Sequence, residues 1–172
     1  PKDAFLIIQK EAALKYAGCP YGPERFKSLN IKLFFDLKII YDFKKTDFKP
    51  VPKVEIVLLN IRRKNVSPLS EKEVVMYQDF IAYGFSQRQT TLEERFGKIF
   101  TKEQFKHLTK DLKFKLDVVP TDLNFEQWLG LFKYFMVGVS SYKKMTVNGF
   151  NYRLKLQQKK LDKIHRTRVS KK

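Results

Sequence analysis

The sequence predicts an α/β layer that gives way to an all-α module, and three observations carry that reading. Apolar runs at 4–8 and 54–61 have the length and composition of strands. From residue 70 the apolar period becomes that of a helix. The two regimes meet at a polar stretch, 64–69, punctuated by Pro68.

In order along the chain, strands are expected at 4–9, 37–43 and 54–62. The first and third are continuous apolar runs, the kind found in sheets covered on both faces. Between the first two lie a helix near 10–16, the turn Gly18-Cys19-Pro20-Tyr21-Gly22-Pro23, and a helix near 24–35. Strand, helix, strand and a short proline loop into another strand form the closing portion of an α/β layer. A strand at residue 4, behind a Pro1 that is no initiator methionine, reads as part of something longer.

The helical half announces itself through caps. Ser70 with Glu73, Thr101 with Gln104 and Asn124 with Gln127 each place a side-chain acceptor three residues before a side chain that reaches back. Apolar residues follow each at helical spacing, including Val74, Tyr77, Phe80 and Ile81 after the first. The expected division is therefore 1–63, an α/β portion; 64–138, a helical domain; and 139–172, a basic tail. A loose helix is expected over 151–163, and 170–172 reads as a disordered end.

Composition bounds the function. Apolar residues make up 43% and aromatics 15%, which fits a folded globular chain. The formal net charge is +17, unevenly spread. Residues 1–63 hold 13 basic and 7 acidic side chains, 64–138 hold 11 and 10, and 139–172 hold 11 and 1. That pattern points to a polyanion, most simply nucleic acid. An anionic membrane is the competing polyanion, but 139–172 carries too little apolar area to insert. No apolar stretch has the length of a membrane span, and the single cysteine, Cys19, fits a reducing cytoplasm. Metal chemistry has little support, since His107 and His165 are far apart and Cys19 lacks a partner at useful spacing. No glycine-rich phosphate loop is present.

The most informative segment is Phe48-Lys49-Pro50-Val51-Pro52-Lys53-Val54. Each proline fixes its own φ and extends the residue before it, so the loop should be stiff and non-helical. An aromatic between cations on such a loop suits stacking on a base while neutralising phosphate. A proline-rich connection whose Phe48 caps a core is the plainer reading. Arg25 and Lys27, opening the helix after the Gly18–Pro23 turn, would join Lys49 and Lys53 if both segments lay at one end of the sheet.

Four ordered segments resemble the rRNA adenine N6-dimethyltransferase family. Phe5-Leu6-Ile7-Ile8-Gln9-Lys10-Glu11-Ala12-Ala13 is similar to its strand-plus-helix Gln-Lys-Glu segment, and the Phe48–Val54 loop to its late Phe-x-Pro-x-Pro-x-Val signature. Ile99-Phe100-Thr101-Lys102-Glu103-Gln104-Phe105 and Glu126-Gln127-Trp128-Leu129-Gly130-Leu131-Phe132 resemble the helical domain of the erythromycin-resistance (Erm) branch. The resemblance implies the last strands of a Rossmann-like methyltransferase sheet plus a small helical C-terminal domain. It implies S-adenosyl-L-methionine as methyl donor and a flipped adenine of 23S rRNA as acceptor, as in macrolide-lincosamide-streptogramin B resistance. It also implies a cytoplasmic enzyme acting as a monomer. Phe48 matches the aromatic that stacks on the adenine; Arg25, Lys27, Lys49 and Lys53 match the RNA-facing surface.

The departures are as specific. The family's cofactor loop, ribose-binding acid and Asn-Ile/Leu-Pro-Tyr motif belong before the first strand here, so no cofactor-binding residue is expected in this fragment, which alone should be inactive. Glu55 stands where many members have Ser. The tail is either an added RNA arm or a disordered extension, its charge favouring the arm. A non-catalytic RNA-binding module related to the methyltransferases is the alternative.

Overall fold

The computed structural model describes residues 2–160. Strands β1 (Asp3–Gln9), β2 (Phe35–Asp42) and β3 (Ile56–Arg63) form a sheet of order β1-β3-β2, with β3 antiparallel to both neighbours. Strands β1 and β2 therefore run parallel with β3 between them. The parallel pair needs a crossover, supplied by α1 (Lys10–Ala17) and α2 (Phe26–Ile31). The helix expected over 24–35 is shorter because Arg25 sits in extended backbone as its N-cap and the chain turns again at Lys32.

Register fixes the two faces. Leu6 opposite Leu59 and Ile8 opposite Val57 share one face; Phe5 opposite Asn60 and Ile7 opposite Leu58 share the other. Helix α1 covers the first face, where Ala13 and Ala17, one turn apart, approach Leu37, Val57 and Leu59 in a small buried core. The opposite face is open in the described residues, and Phe5 and Ile7 are each 61% exposed. The runs at β1 and β3 led to the expectation of cover on both faces. Residues 2–160 supply it on one.

The helical half contains α3 (Glu71–Ser86), the short α4 (Leu92–Arg95), α5 (Lys102–Asp111), α6 (Phe125–Gly138), α7 (Ser141–Val147) and α8 (Phe150–Lys160). Each expected capping box is formed. Ser70 N donates to Glu73 Oε2 at 2.8 Å, Thr101 N to Gln104 Oε1 at 2.9 Å, and Asn124 N to Gln127 Oε1 at 2.9 Å. The side chains of Ser70, Thr101 and Asn124 accept in return from the backbone three residues on. Thr91 and Glu94 form a fourth such box, ahead of α4.

An aromatic core holds these helices together. Phe80 lies at its centre, with Phe96 at 4.7 Å and Phe135 at 4.9 Å between ring centroids, and Trp128 edge-on at 6.1 Å. The Trp128 indole N–H donates to Pro120 O at 3.1 Å, which removes the penalty of burying it. Gly84 makes this approach possible, since a Cβ there would lie 2.8 Å from Trp128 and 2.9 Å from Phe96.

The sheet half and the helices are joined through α2. Leu29 and Leu33 are fully buried in the aromatic core rather than under the sheet. Glu24 N donates to Thr121 O at 3.2 Å, and the fully buried Glu24 carboxylate accepts from Ser28 Oγ at 2.5 Å and pairs with Lys32. Beyond Gly138 the chain packs back on α3. Val147 is fully buried, and Asp79, 4% exposed, accepts from Gly149 N at 2.7 Å and Asn151 N at 2.9 Å. The helix expected over 151–163 is seen to Lys160; its last turn and the end at 170–172 lie outside the described residues.

Candidate nucleic-acid interface

The loop from Phe43 to Glu55 leaves the sheet where Gln9 pairs with Ile56 and Asp42 with Val57. A single 3-10 turn, Lys45–Asp47, opens it; Asp47 Oδ2 accepts from Lys44 N at 2.9 Å and closes the turn. Phe48 follows in extended backbone, half-buried, its ring edge-on to Phe43 at 5.3 Å and 65°. Phe43 is in turn edge-on to Tyr41 at 4.9 Å and 80°. Three rings thus run from the end of β2 to the proline segment, and each fixes the next. Lys49 and Lys53 are exposed on either side of Pro50 and Pro52.

Lys10 frames the base of this loop. Its backbone N donates to Glu55 O at 2.9 Å, and its ammonium lies 2.9 Å from Asp42 Oδ1 and 3.4 Å from Glu55 Oε2. The bond to Asp42, then that to Glu55, holds the ammonium above the usual lysine range. Both carboxylates are thereby engaged, and the exposed Lys44, Lys45, Lys49 and Lys53 outnumber Asp47 on the loop's outer surface.

Arg25 and Lys27 lie elsewhere. Helix α1 begins at the loop end of the sheet and carries the chain away from it for eight residues, about 12 Å at 1.5 Å per residue. Arg25 then caps α2 beyond the far end of α1, and Lys27 Nζ sits 5.7 Å from the centroid of Tyr16, near that end. The condition that would have grouped them with Lys49 and Lys53 is not met. Cys19, in the turn between, is exposed.

A second cationic region was not anticipated. A cleft of about 510 Å3 between the open sheet face and α6 is lined by Lys32, Lys38, Asn60, Arg62, Lys64 and Phe125 among others. Much of its charge is spent internally. Arg62 Nε is 2.8 Å from Asp3 Oδ1, and Lys64 is 3.6 Å from Asp36 and 4.9 Å from the Phe125 ring centroid. The Arg62-Arg63-Lys64 run was the signal for it in the sequence.

The small antiparallel sheet followed by many helices is a methyltransferase-like fold. The solved 23S rRNA methyltransferase ErmE superposes with a TM-score of 0.71 at 20% identity, covering 78% of this chain and 55% of that one. A dimethyladenosine transferase from Plasmodium falciparum gives 0.52 at 19% identity, covering 80% and 59%. The family model described as ribosomal RNA adenine dimethylase matches residues 1–136, and the chain belongs to that family, among Erm-like rRNA adenine methyltransferases. An rRNA adenine N-6-methyltransferase of Bacillus anthracis is 31% identical over 139 residues, 76% of this chain and 45% of that protein. A ribosomal RNA small subunit methyltransferase A of Mycoplasmopsis pulmonis is 33% identical over 104 residues, 59% and 40% respectively. The chain spans less than half the length of these two relatives.

Proposed function

We propose that this chain is the C-terminal portion of an rRNA adenine N6-(di)methyltransferase of the macrolide-lincosamide-streptogramin B resistance type. Its substrate is a flipped adenine of 23S rRNA and its methyl donor S-adenosyl-L-methionine. The observation that carries the reading is the Phe48 loop, an aromatic held edge-on by Phe43 and flanked by Lys49 and Lys53, in a chain of this family.

Residues 1–63 are read as the end of the methyltransferase domain, with β1, β2 and β3 as the last strands of a Rossmann-like sheet. Residues 64–138 are its helical domain and 139–172 a basic tail that adds to RNA affinity. The 61% exposure of Phe5 and Ile7 on the open face supports a further layer that covers this face in a longer enzyme. The enzyme is read as a cytoplasmic monomer.

Phe48 stacks on the extruded base, and Lys49 and Lys53 neutralise the phosphates beside it. Arg25 and Lys27 contact RNA on a different side of the molecule. When bound, the cofactor supplies an electrophilic methyl group, and its binding is assigned to the rest of the longer enzyme. What these residues contribute is position: an exocyclic amine is a weak nucleophile, and holding it in line is worth more than a proton transfer.

The experiment is methyl transfer from labelled S-adenosyl-L-methionine to large-subunit rRNA by the longer polypeptide proposed to contain this chain, with adenine N6 as the readout. Product on one adenine of 23S rRNA supports the reading. RNA bound without transfer would move the protein to the non-catalytic RNA-binding class, and the 172-residue chain alone should give no product.

A further inference from the structure

At the other end of α1 from the Phe48 loop, α1 and α2 face α3 and α8 across a groove of about 330 Å3. We propose that this groove holds one unpaired nucleotide of RNA, as a second contact distinct from the loop. The proposal rests on the reading of the chain as an RNA-modifying protein and adds to it where, and in what form, the RNA is held.

The groove is lined by Tyr16, Phe26, Lys27, Gln78, Asn151 and Lys155, together with Asn30 and Ile31. No carboxylate is among them. Two aromatic rings offer stacking faces, which every base accepts. The ammonium of Lys27 lies over the Tyr16 ring, 5.7 Å from its centroid, so the groove already pairs a cation with an aromatic face. Carboxamides carry a donor and an acceptor on one planar group, the pattern that matches a base edge. Asn30, whose Nδ2 donates to Phe26 O at 2.6 Å, is held in place as part of the lining.

The volume is near the lower end of the range for ligand pockets, about 300–1,000 Å3, which fits one nucleotide rather than a duplex. Bases in a duplex are stacked and paired, so only an unpaired one can enter. The far wall is held in place by Asp79, which accepts from Gly149 N and Asn151 N at the start of α8. Lys155, one turn beyond Asn151, is thereby carried to the groove.

The test measures binding of the 172-residue chain to a fluorescent single-stranded RNA dodecamer and to a duplex of the same length, by anisotropy across a salt series. Lys27→Glu with Lys155→Glu is compared with Lys106→Glu with Lys110→Glu on α5, and with Lys49→Glu with Lys53→Glu in the loop. All six lysines are exposed, so each variant should keep the parent's circular dichroism. The groove pair should weaken single-strand binding about tenfold or more and flatten the log–log salt slope by about 1.4, two contacts at about 0.7 each. The α5 pair should change both much less, and 4-thiouridine in the strand should cross-link to Tyr16 or Phe26. Equal losses for the groove and α5 pairs would reduce the effect to diffuse charge and overturn the proposal. A groove pair that binds like the parent while the loop pair weakens would overturn it too, leaving the RNA reading in place. Binding of neither RNA by the parent chain would end both.

Discussion

Lys10 and Asp42 meet across the end of the sheet, the ammonium 2.9 Å from Asp42 Oδ1 and 3.4 Å from Glu55 Oε2. This one side chain ties the start of α1 to the last residue of β2 and to the residue before β3. The Phe48 loop leaves and returns between those two carboxylates. Lys10→Met should leave the thermal midpoint nearly unchanged, because exposed pairs contribute little, yet speed amide hydrogen exchange within 43–55. Because the lysine's folded pKa is raised, the pair's contribution is whole below the unfolded value, about 10.4, and is lost as pH rises through the folded one. Exchange in the loop that is the same in the variant and the parent would remove Lys10 from loop control.

Phe48 and Phe43 divide the work of the loop differently. In the longer enzyme, Phe48→Ala should lower turnover far more than RNA affinity, since one stacked base is worth about 1–3 kcal/mol. Phe43→Leu keeps an apolar side chain but removes the edge-on contact at 5.3 Å, so turnover should fall by less. Single-turnover rates with RNA binding measured in parallel separate the two. Equal rates for Phe48→Ala and the parent would take Phe48 out of the site.

The division between what the sequence disclosed and what it hid follows the range of each interaction. Capping boxes at Ser70, Thr101 and Asn124 close over three residues, so their residue types suffice to place them. The box at Thr91 has the same signature, but the four helical residues after it are too few to show a helical apolar period. Strand positions were legible from composition, but sheet order depends on pairings such as Leu6 with Leu59, which no local pattern encodes. Placing Arg25 and Lys27 near the loop failed for a similar reason: the direction of α1 decides it, and that comes from packing Ala13 and Ala17 on the sheet. The fold of 141–160 onto α3 was the least visible, resting on Asp79 and two backbone amides 70 and 72 residues away.

Tyr77 supplies a test of burial. Its ring is fully buried, edge-on to Phe132 at 5.2 Å, and its hydroxyl has no partner among the described residues. Burial, with Glu24 and Glu126 adding to it, pushes the phenol far above its ordinary range. Tyr77→Phe removes an unsatisfied polar atom and keeps the ring, so stability should be unchanged or rise by up to about 1 kcal/mol in urea denaturation. A loss of stability would mean that the hydroxyl has a bound water or other partner.

Acid should loosen the chain through its caps and its sheet edge. The Ser70 hydroxyl and amide lower the Glu73 pKa, the Thr91 backbone and hydroxyl lower that of Glu94, and the Arg62 guanidinium lowers that of Asp3. A carboxylate whose folded pKa lies below its unfolded value contributes stability above the unfolded value. That contribution is lost as pH falls through the folded value. Stability should therefore be flat near neutrality and decline below about pH 4, the unfolded range for Asp and Glu. Glu73→Gln retains a back-reaching acceptor but no charge, so it should show a smaller decline.

Asp79 gives the sharpest test of the tail. Deleting 139–172 is a poor probe of RNA binding, because it would strip Val147 from the core and uncover Tyr83, whose ring meets Phe150 at 5.2 Å. Several tail cations are already occupied by the fold: Lys143 and Lys144 donate to Ile99 O and Met136 O, and Arg153 to Asn148 O. Asp79→Ala leaves those cations in the chain and removes only the acceptor of two buried amides. It should cost about 1–3 kcal/mol for the unsatisfied donors and release α8 locally. Asp79→Asn, with one carbonyl oxygen remaining, should fall between. Hydrogen exchange in 149–160 should rise in the order parent, Asn, Ala, while 101–111 stays protected. If RNA affinity falls in the same order at constant net tail charge, placement of α8 rather than its charge supports binding. Affinity indifferent to both substitutions would return the tail to a purely electrostatic role.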